Sequence, residues 1–586
     1  MGARSGVRFG AKPLVGVAVA ALGLAFAPAA QAANFDVTRL DDPAPSGCAS
    51  GVDCSLREAV IDANASLGPD TIGLPAPPAG QSYELTQPGP FEDNAMTGDL
   101  DLLGDVTITG AGSGAGPATI DANGMDRVFQ VGDFGGATPS VELTGLTITG
   151  GDIDVGGGVW VIGGDLTVKN SVVTRNSVIT EGPGRGGGLA LESFTGTSHA
   201  TISDSTFSHN TAQQSFGGGL GGGIYVGEGQ LTLLRSTIGP GNLAEGTSGA
   251  FSDPAQGGGI YNADEATLTN VTVSGNSVGT GNNGAGGGIY SAVLQGPVST
   301  VIESSTIVEN TVSGPGGQGG NLARDTGAGV TLLRTLVAGG SAASGANCGS
   351  TVTSQGNNLE SPTNQCGFGT ALSDQFSVPD PLLGPLTDNE GLTLTHALLD
   401  GSPAIDTGGA DCPPPDTDQR GVVRAQGPEC DIGAYELRQG SEIVDPITDT
   451  CKGRQATIIG EKGPDVIQGT DQRDIIVSRS GDDKVFGNGG NDLICARGGE
   501  DLVKGNGGND ELRGDGGEDD LEGGGGEDVL HGANNDDFVA GNSADDEVHG
   551  GDGDDDLNGG PGSRDKCLGE KGRDIAISCE VEFRIP

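Results

Sequence analysis

GGGIYNADEATLTNVTVSGN, residues 257–276, decides how most of this chain is built. A glycine triplet leads into a short apolar run, polar and apolar residues then alternate through ATLTNVTV, and the stretch closes on Asn276. The same order recurs upstream and downstream, with triplets opening GGGVWV at Gly156, GGGLAL at Gly186, GGGIYV at Gly221 and GGGIYS at Gly286. The closing residues are Asn176, Asn210, Asn242, Asn276 and Asn310, spaced 34, 32, 34 and 34 apart. A repeat of that length made of strands, with no helical period, predicts a solenoid.

Alternation in these runs turns every second residue inward, so Leu, Val and Ile fill the interior. Three strands per unit closing on themselves give a right-handed parallel β-helix in which each coil covers the last. Asparagines at one place in successive coils can then stack as a ladder, each amide bonding to the copies above and below. The first coil needs a cover, because an open end exposes apolar residues and strand edges. The segment CSLREAVIDAN, residues 54–64, supplies one: Ser55 and Glu58 form a capping box, and Leu56, Ala59, Val60 and Ala63 share one helical face. Strand patterns follow directly at DTIGL, GDVTITG and PATIDA.

CSLREA near the start, strands of the LTLTNVTVSGN type, TLTHALLDGSPAID (393–406), DQRG (418–421) and CDIGAYE (430–436) together carry a resemblance. Residues 34–440 resemble the secreted bacterial β-helix proteins known as CSLREA-domain and choice-of-anchor Q-domain proteins. The resemblance implies architecture and export, with a variable module behind the β-helix, and no common activity.

A different period rules the C-terminal part. From residue 460 to residue 558 the repeat is nine, with Asp465, Asp474, Asp483, Asp492, Asp501, Asp510, Asp519, Asp528, Asp537, Asp546 and Asp555 at the sixth place. Aliphatics stand at the eighth: Ile467, Ile476, Val485, Ile494, Val503, Leu512, Leu521, Leu530, Val539, Val548 and Leu557. A six-residue glycine loop followed by a short strand with its middle side chain inward is expected, and the pattern resembles the hemolysin-type (RTX) calcium-binding repeats. The fold class expected for the whole chain is therefore all-β, a right-handed parallel β-helix followed by a calcium-binding parallel β-roll.

The chemistry of the array follows from its residues. Two units make one turn, so Asp465 faces Asp483, Asp474 faces Asp492, and so on to Asp537 with Asp555. Each pair can grip one Ca²⁺, with loop carbonyls completing the ~6–8 oxygen ligands that the ion takes. Mg²⁺ demands a tighter octahedron than such a loop offers. Between residues 460 and 558 there are 27 acidic and 7 basic side chains, so without the ion the segment repels itself and its thin core cannot offset the entropy of ordering the glycines. Binding energy then becomes folding energy. Units with glycine at the first and fourth places, around Asp492 to Asp528, should hold calcium best. Ser478 and Ala496 replace the first glycine, and Gln472, Asn535 and Ala544 the fourth.

Composition narrows the partners. A formal charge of -50 over 586 residues excludes nucleic acid and anionic membrane and favours cations. Arg4, Arg8 and Lys12, the apolar run of residues 14–27 and AQA at 30–32 have the layout of a secretory signal peptide, too short to span a membrane, with cleavage near Ala32. Ten cysteines, all behind that segment, suit an oxidising compartment, and sequence proximity suggests Cys48 with Cys54, Cys348 with Cys366, Cys412 with Cys430, Cys451 with Cys495 and Cys567 with Cys579. The expected layout is a signal peptide over 1–32, the β-helix over 34–440, a linker over 441–459 and the β-roll over 460–580.

These features point to a secreted, calcium-binding, non-catalytic protein for cell-surface display or adhesion, with an extracellular polysaccharide or cell surface as partner. The alternative is a β-helix polysaccharide lyase or glycoside hydrolase carrying a calcium module. It needs carboxylates beside an Arg or Lys on the coils. Lys169, Arg175, Arg185, Arg235, Arg324 and Arg334 lie in no acidic cluster that recurs along the sequence, and Trp160, Tyr225, Tyr261 and Tyr290 read as a structural stack.

Overall fold

The computed structural model describes residues 32–438 and 450–583, apart from short internal stretches such as 111–116 and 247–252. The signal-like segment up to residue 31 and most of the expected linker, 439–449, lie outside the described residues. The chain divides into two compact units, Met1–Leu437 and Arg438–Pro586.

The first unit is a parallel β-helix. Successive coils add one strand each to long parallel sheets of 11, 10 and 8 strands. One coil runs through Asp165–Lys169, Val172–Thr174, Ser177–Thr180 and Leu189–Leu191 before His199–Ser203 restarts the cycle beside the first strand. The stretch Ser177–Thr180 belongs to a short sheet of 6 strands that the three-strand expectation did not contain. Its members, such as Thr211–Gln214 and Ser277–Val278, are too brief for alternation to show.

Corners between the two longest sheets are single residues in the left-handed region: Asn170, Asp204, Arg235, Asn270, Ser304 and Arg334. The glycine triplets have two separate causes. Gly257 has φ +66°, and a Cβ on its neighbour Gly258 would lie 2.4 Å from the Gly287 carbonyl of the next coil. One glycine supplies the turn, and the other lets backbones touch.

The interior is the expected file of Leu, Val and Ile, with Leu143, Leu166, Ile202, Leu231, Leu268 and Ile302 at most 1% exposed. Beside it runs the asparagine ladder. The side-chain amide of Asn176 donates to Asn210 Oδ1 (3.1 Å), Asn210 to Asn242 (3.0 Å), Asn242 to Asn276 (2.9 Å) and Asn276 to Asn310 (2.8 Å). It continues through Asn321, which stands where the triplet's third glycine would be, to Asn347 and Glu360.

Both ends are closed. The helix Leu56–Ala65 has the complete Ser55/Glu58 capping box and packs Leu56, Ala59, Val60 and Ala63 into the core of the first coils. Arg57 is fully buried, paired with Asp42 and donating to the carbonyls of Ala95, Gly98 and Asp99, so the charged residues of LREA bolt the helix down. At the far end Cys348, Cys366 and Phe368 complete the same core. The segment 393–436 lies instead along the outside of the coils. Thr237 donates to the Leu394 carbonyl, Thr272 to Gln419 Oε1, and Arg424 to Asn270 Oδ1. Arg424 is in turn paired with Glu436 at 3.0 Å, with both side chains buried.

The second unit is a two-sheeted parallel roll, with 8 strands in one sheet and 7 in the other. All eleven eighth-place aliphatics are buried in one file. Ile458–Ile459 already pairs with Ile475–Val477, and Cys451 is bonded to Cys495, so residues 450–459 form part of this unit instead of a linker. The five disulfides are those expected from proximity.

Replacing Asn276 with Ala removes the acceptor of Asn242 and leaves the Ile238 carbonyl without its side-chain donor inside the coil. The loss expected is about 2–4 kcal/mol, read from denaturant unfolding of the β-helix.

Candidate metal centre

Each nonapeptide places its Asp at the end of a glycine loop, just before the strand whose middle residue fills the core. Because units two apart pair in register, as Leu493 with Glu511 and Leu502 with Asp520, the aspartates fall into two columns. In each column one carboxylate oxygen is committed. Asp465 N–H donates to Asp483 Oδ1, Asp483 to Asp501, Asp501 to Asp519, Asp519 to Asp537 and Asp537 to Asp555, at 2.8–3.0 Å. The second column runs likewise from Asp474 through Asp492, Asp510 and Asp528 to Asp546.

The other oxygen is the unusual one. Oδ2 of Asp483, Asp492, Asp501, Asp510, Asp519, Asp528, Asp537, Asp546 and Asp555 is buried without a hydrogen-bond partner. A buried carboxylate oxygen left in that state is costly unless a cation meets it. Backbone oxygens share the place. A Cβ built on Gly505 would lie 2.3 Å from Asp510 Oδ2 and 2.6 Å from the Gly523 carbonyl, so the first-place glycine clears room for both.

The first two aspartates differ. Asp474 Oδ2 accepts from the Thr470 amide and hydroxyl, and Asp465 is only half-buried. Two further aspartates join the columns after the period breaks. Asp546 N–H donates to Asp565 Oδ1 and Asp555 N–H to Asp574 Oδ1, and both newcomers have a buried, unpartnered Oδ2. One extra residue in GGPGSRD hides Asp565 from a strict period of nine, although Asp565 and Asp574 are themselves nine apart.

Left-handed backbone falls mainly at the second and fourth places. Arg479, Asn488, Arg497, Asn506, Asp515, Ala533 and Asn542 take positive φ at the second place, and Asn535 and Ala544 at the fourth. The first place needs space instead, and Ala496 is accommodated there without positive φ.

Burial pushes Asp501, Asp528 and Asp537 up to about 7 and Asp492, Asp519, Asp546 and Asp555 up to about 6, with carboxylates one turn away adding to the rise for most of them. Asp483 and Asp510 are raised by burial too. The bond from the backbone amide opposes the shift in every case without cancelling it. Among the described residues no three His, Cys, Asp or Glu side chains converge as a metal cluster. An ion in these loops would therefore draw much of its coordination from carbonyls, which suits a hard cation with many oxygen ligands.

On the coils Lys169 pairs with Glu142, Arg185 with Glu192, Arg235 with Asp204 and Arg334 with Glu303, Arg324 donates to the carbonyls of Thr351 and Ala328, and Arg175 is exposed. Tyr225, Tyr261 and Tyr290 stack at 5.2 and 5.8 Å and are almost wholly buried, as a structural stripe should be. A group that the sequence reading missed surrounds Arg127. It pairs with Asp99 at 2.9 Å and stacks 4.8 Å from the Trp160 ring, while burial pushes Asp99 up to about 6 and raises Asp126. Asp99, the adjacent Asp126 and Arg127, and Trp160 come from three successive coils, so no repeat spacing in the chain links them.

Fold and site thus define a class: a parallel β-helix followed by a roll of metal-binding nonapeptides. Residues 457–494, 496–530 and 531–564 match the RTX calcium-binding nonapeptide repeat family, so the roll is an array of RTX repeats and calcium is its cofactor. Comparison with curated proteins returned no match. Among solved structures the chain is similar to pectate lyase Pel9A, at 15% identity over 70% of this chain and 97% of that one, with a TM-score of 0.36. Nothing about activity follows from a likeness of that size.

The raised carboxylates set a pH dependence for the calcium-free roll. Their folded values lie above the unfolded ~3.9, so the folded roll holds more protons and its stability falls as pH rises from about 4 through 7. In EGTA, the thermal midpoint of the roll should drop across that range. At pH 7 saturating calcium should raise the midpoint well above its value in EGTA, as followed by circular dichroism.

Proposed function

We propose that this is an exported protein of the CSLREA and choice-of-anchor Q type, non-catalytic and serving cell-surface display or adhesion, whose RTX roll folds on meeting calcium outside the cell. The observation that carries the reading is the pair of aspartate columns with one buried oxygen each left unpartnered. Asp465, Asp474, Asp483, Asp492, Asp501, Asp510, Asp519, Asp528, Asp537, Asp546 and Asp555 are the proposed ligand set, extended by Asp565 and Asp574. In the cytoplasm, where calcium is scarce, such an array would stay open, and export would close it. Five disulfides agree with an oxidising destination. Among the described residues no helix is long and apolar enough to cross a membrane.

A second reading, a polysaccharide lyase or glycoside hydrolase, has the Arg127, Asp99 and Asp126 group in its favour, since it brings carboxylates beside an Arg on the coils. Its members are at most 4% exposed, which favours a structural role over contact with a polymer; Arg127 is held by Asp99 and the Val155 carbonyl, while Asp126 Oδ2 is buried without a hydrogen-bond partner. Incubation of the full chain with pectin, alginate and hyaluronan separates the two readings: no unsaturated or reducing-end product is expected, and calcium-dependent product would overturn the proposal.

For the roll, calcium should convert residues 450–583 from a disordered to a strand-rich circular dichroism spectrum. A spectrum indifferent to calcium sinks the folding claim. Asp519→Asn keeps the acceptor for Asp501 N–H while removing a charge. It should raise the stability of the calcium-free roll and lower calcium stoichiometry by calorimetry.

A further inference from the structure

The strand Asp70–Leu74 buries residues 70, 72 and 74 on one face, so Asp70 occupies a position where Ile72 and Leu74 lead one to expect an apolar side chain. It is 2% exposed. Its Oδ1 accepts from the backbone N–H of Ala33 at 2.7 Å and from the hydroxyl of Ser66, the residue that ends the cap helix, at 3.2 Å. Its Oδ2 is buried and has no hydrogen-bond partner. Ala33 is held from its other side as well, its carbonyl accepting from Thr71 N–H at 2.9 Å, and Asn34 begins the first strand opposite Thr71. Ala32, by contrast, is exposed.

A peptide N–H offers this carboxylate one donor and no charge. An α-ammonium at the same nitrogen would offer three donors and a full positive charge, which is what a buried, half-satisfied carboxylate lacks. We propose that the Ala32–Ala33 peptide bond is the processing site, and that Asp70 with Ser66 is a built receptor for the N-terminus that cleavage creates. An export-linked endopeptidase adds one water across the bond. The carboxylate stays on Ala32 and the amine on Ala33, where it takes up a proton and pairs with Asp70. The ion pair then ties the start of the first strand to the end of the cap helix, so removal of the leader completes the N-terminal closure of the β-helix. The inference rests on the reading of this chain as exported.

The full chain is expressed in an exporting bacterial host, and the protein in the medium is characterised by intact mass and N-terminal sequencing. A start at Ala33 is expected. Asp70→Asn should lower the thermal midpoint of that form by roughly 5 °C or more. It should cost much less in a chain carrying Gly-Ser ahead of Ala33, where no ammonium reaches the carboxylate. The folded α-amino group is raised above its ordinary ~7.7–8.0, so its contribution is complete below that range and is lost as pH rises through the folded value. The stability advantage of the Ala33 form over the Gly-Ser form should therefore shrink between pH 7 and 10. Exported protein starting at another residue, or equal Asp70→Asn losses in both forms, overturns the proposal. Retention of the unprocessed chain inside the cell overturns the reading of export, and the proposal with it.

Discussion

In-register stacking governs both units of this chain. When one coil lies on the next with no shift, a side chain at a repeat position meets its own kind one turn away. Hydrophobic residues gain from that, because Leu on Leu and Ile on Ile make a continuous core from coils that could bury little alone. Asparagine gains too, since its amide carries both a donor and an acceptor, and Asn176 through Asn310 pass one hydrogen bond along the stack. Aspartate does not. It accepts without donating, and its charge faces the same charge one turn away.

The roll turns that conflict into a requirement. From Asp483 onward one oxygen of each column Asp finds the backbone N–H of the Asp one turn earlier, which fixes the carboxylate in place. The second is left buried and raised in proton affinity, as at Asp501 and Asp528. Protons or a divalent cation can relieve the repulsion, and at neutral pH only the cation does so fully. The same geometry explains the glycines. The first-place residue must leave room for Oδ2, whereas the second and fourth must turn left-handed, a conformation that Asn accepts with less strain than most. Asparagine at 488, 506, 535 and 542 fits that need, and Ala533 and Ala544 meet it at a steric cost.

The β-helix spends its charged residues on closure. Arg57 and Glu58 fasten the cap helix, Asp70 holds the first strand at Ala33, and Arg424 with Glu436 anchors the external segment against Asn270. Buried charges of this sort add less to stability than to uniqueness of arrangement, because each demands one partner in one place.

Periodic features were legible in the chain itself. The spacing of the ladder asparagines, the alternation of the strands, the capping box at Ser55 and the sixth-place aspartates are local or repeating, and a repeat in sequence becomes a stack in space by translation alone. Aperiodic contacts were not. Asp565 falls out of step by one inserted residue yet still enters the columns. The short fourth sheet lacks the length for alternation to register. Arg127 reaches Asp99 across 28 residues, and Gln419 reaches Thr237 across 182. Sequence by itself determined the two architectures and the composition of the metal site, because both follow from period and residue type. Only the tertiary structure decided which carboxylate oxygens are left without partners, since that depends on which backbone amide each coil brings to its neighbour.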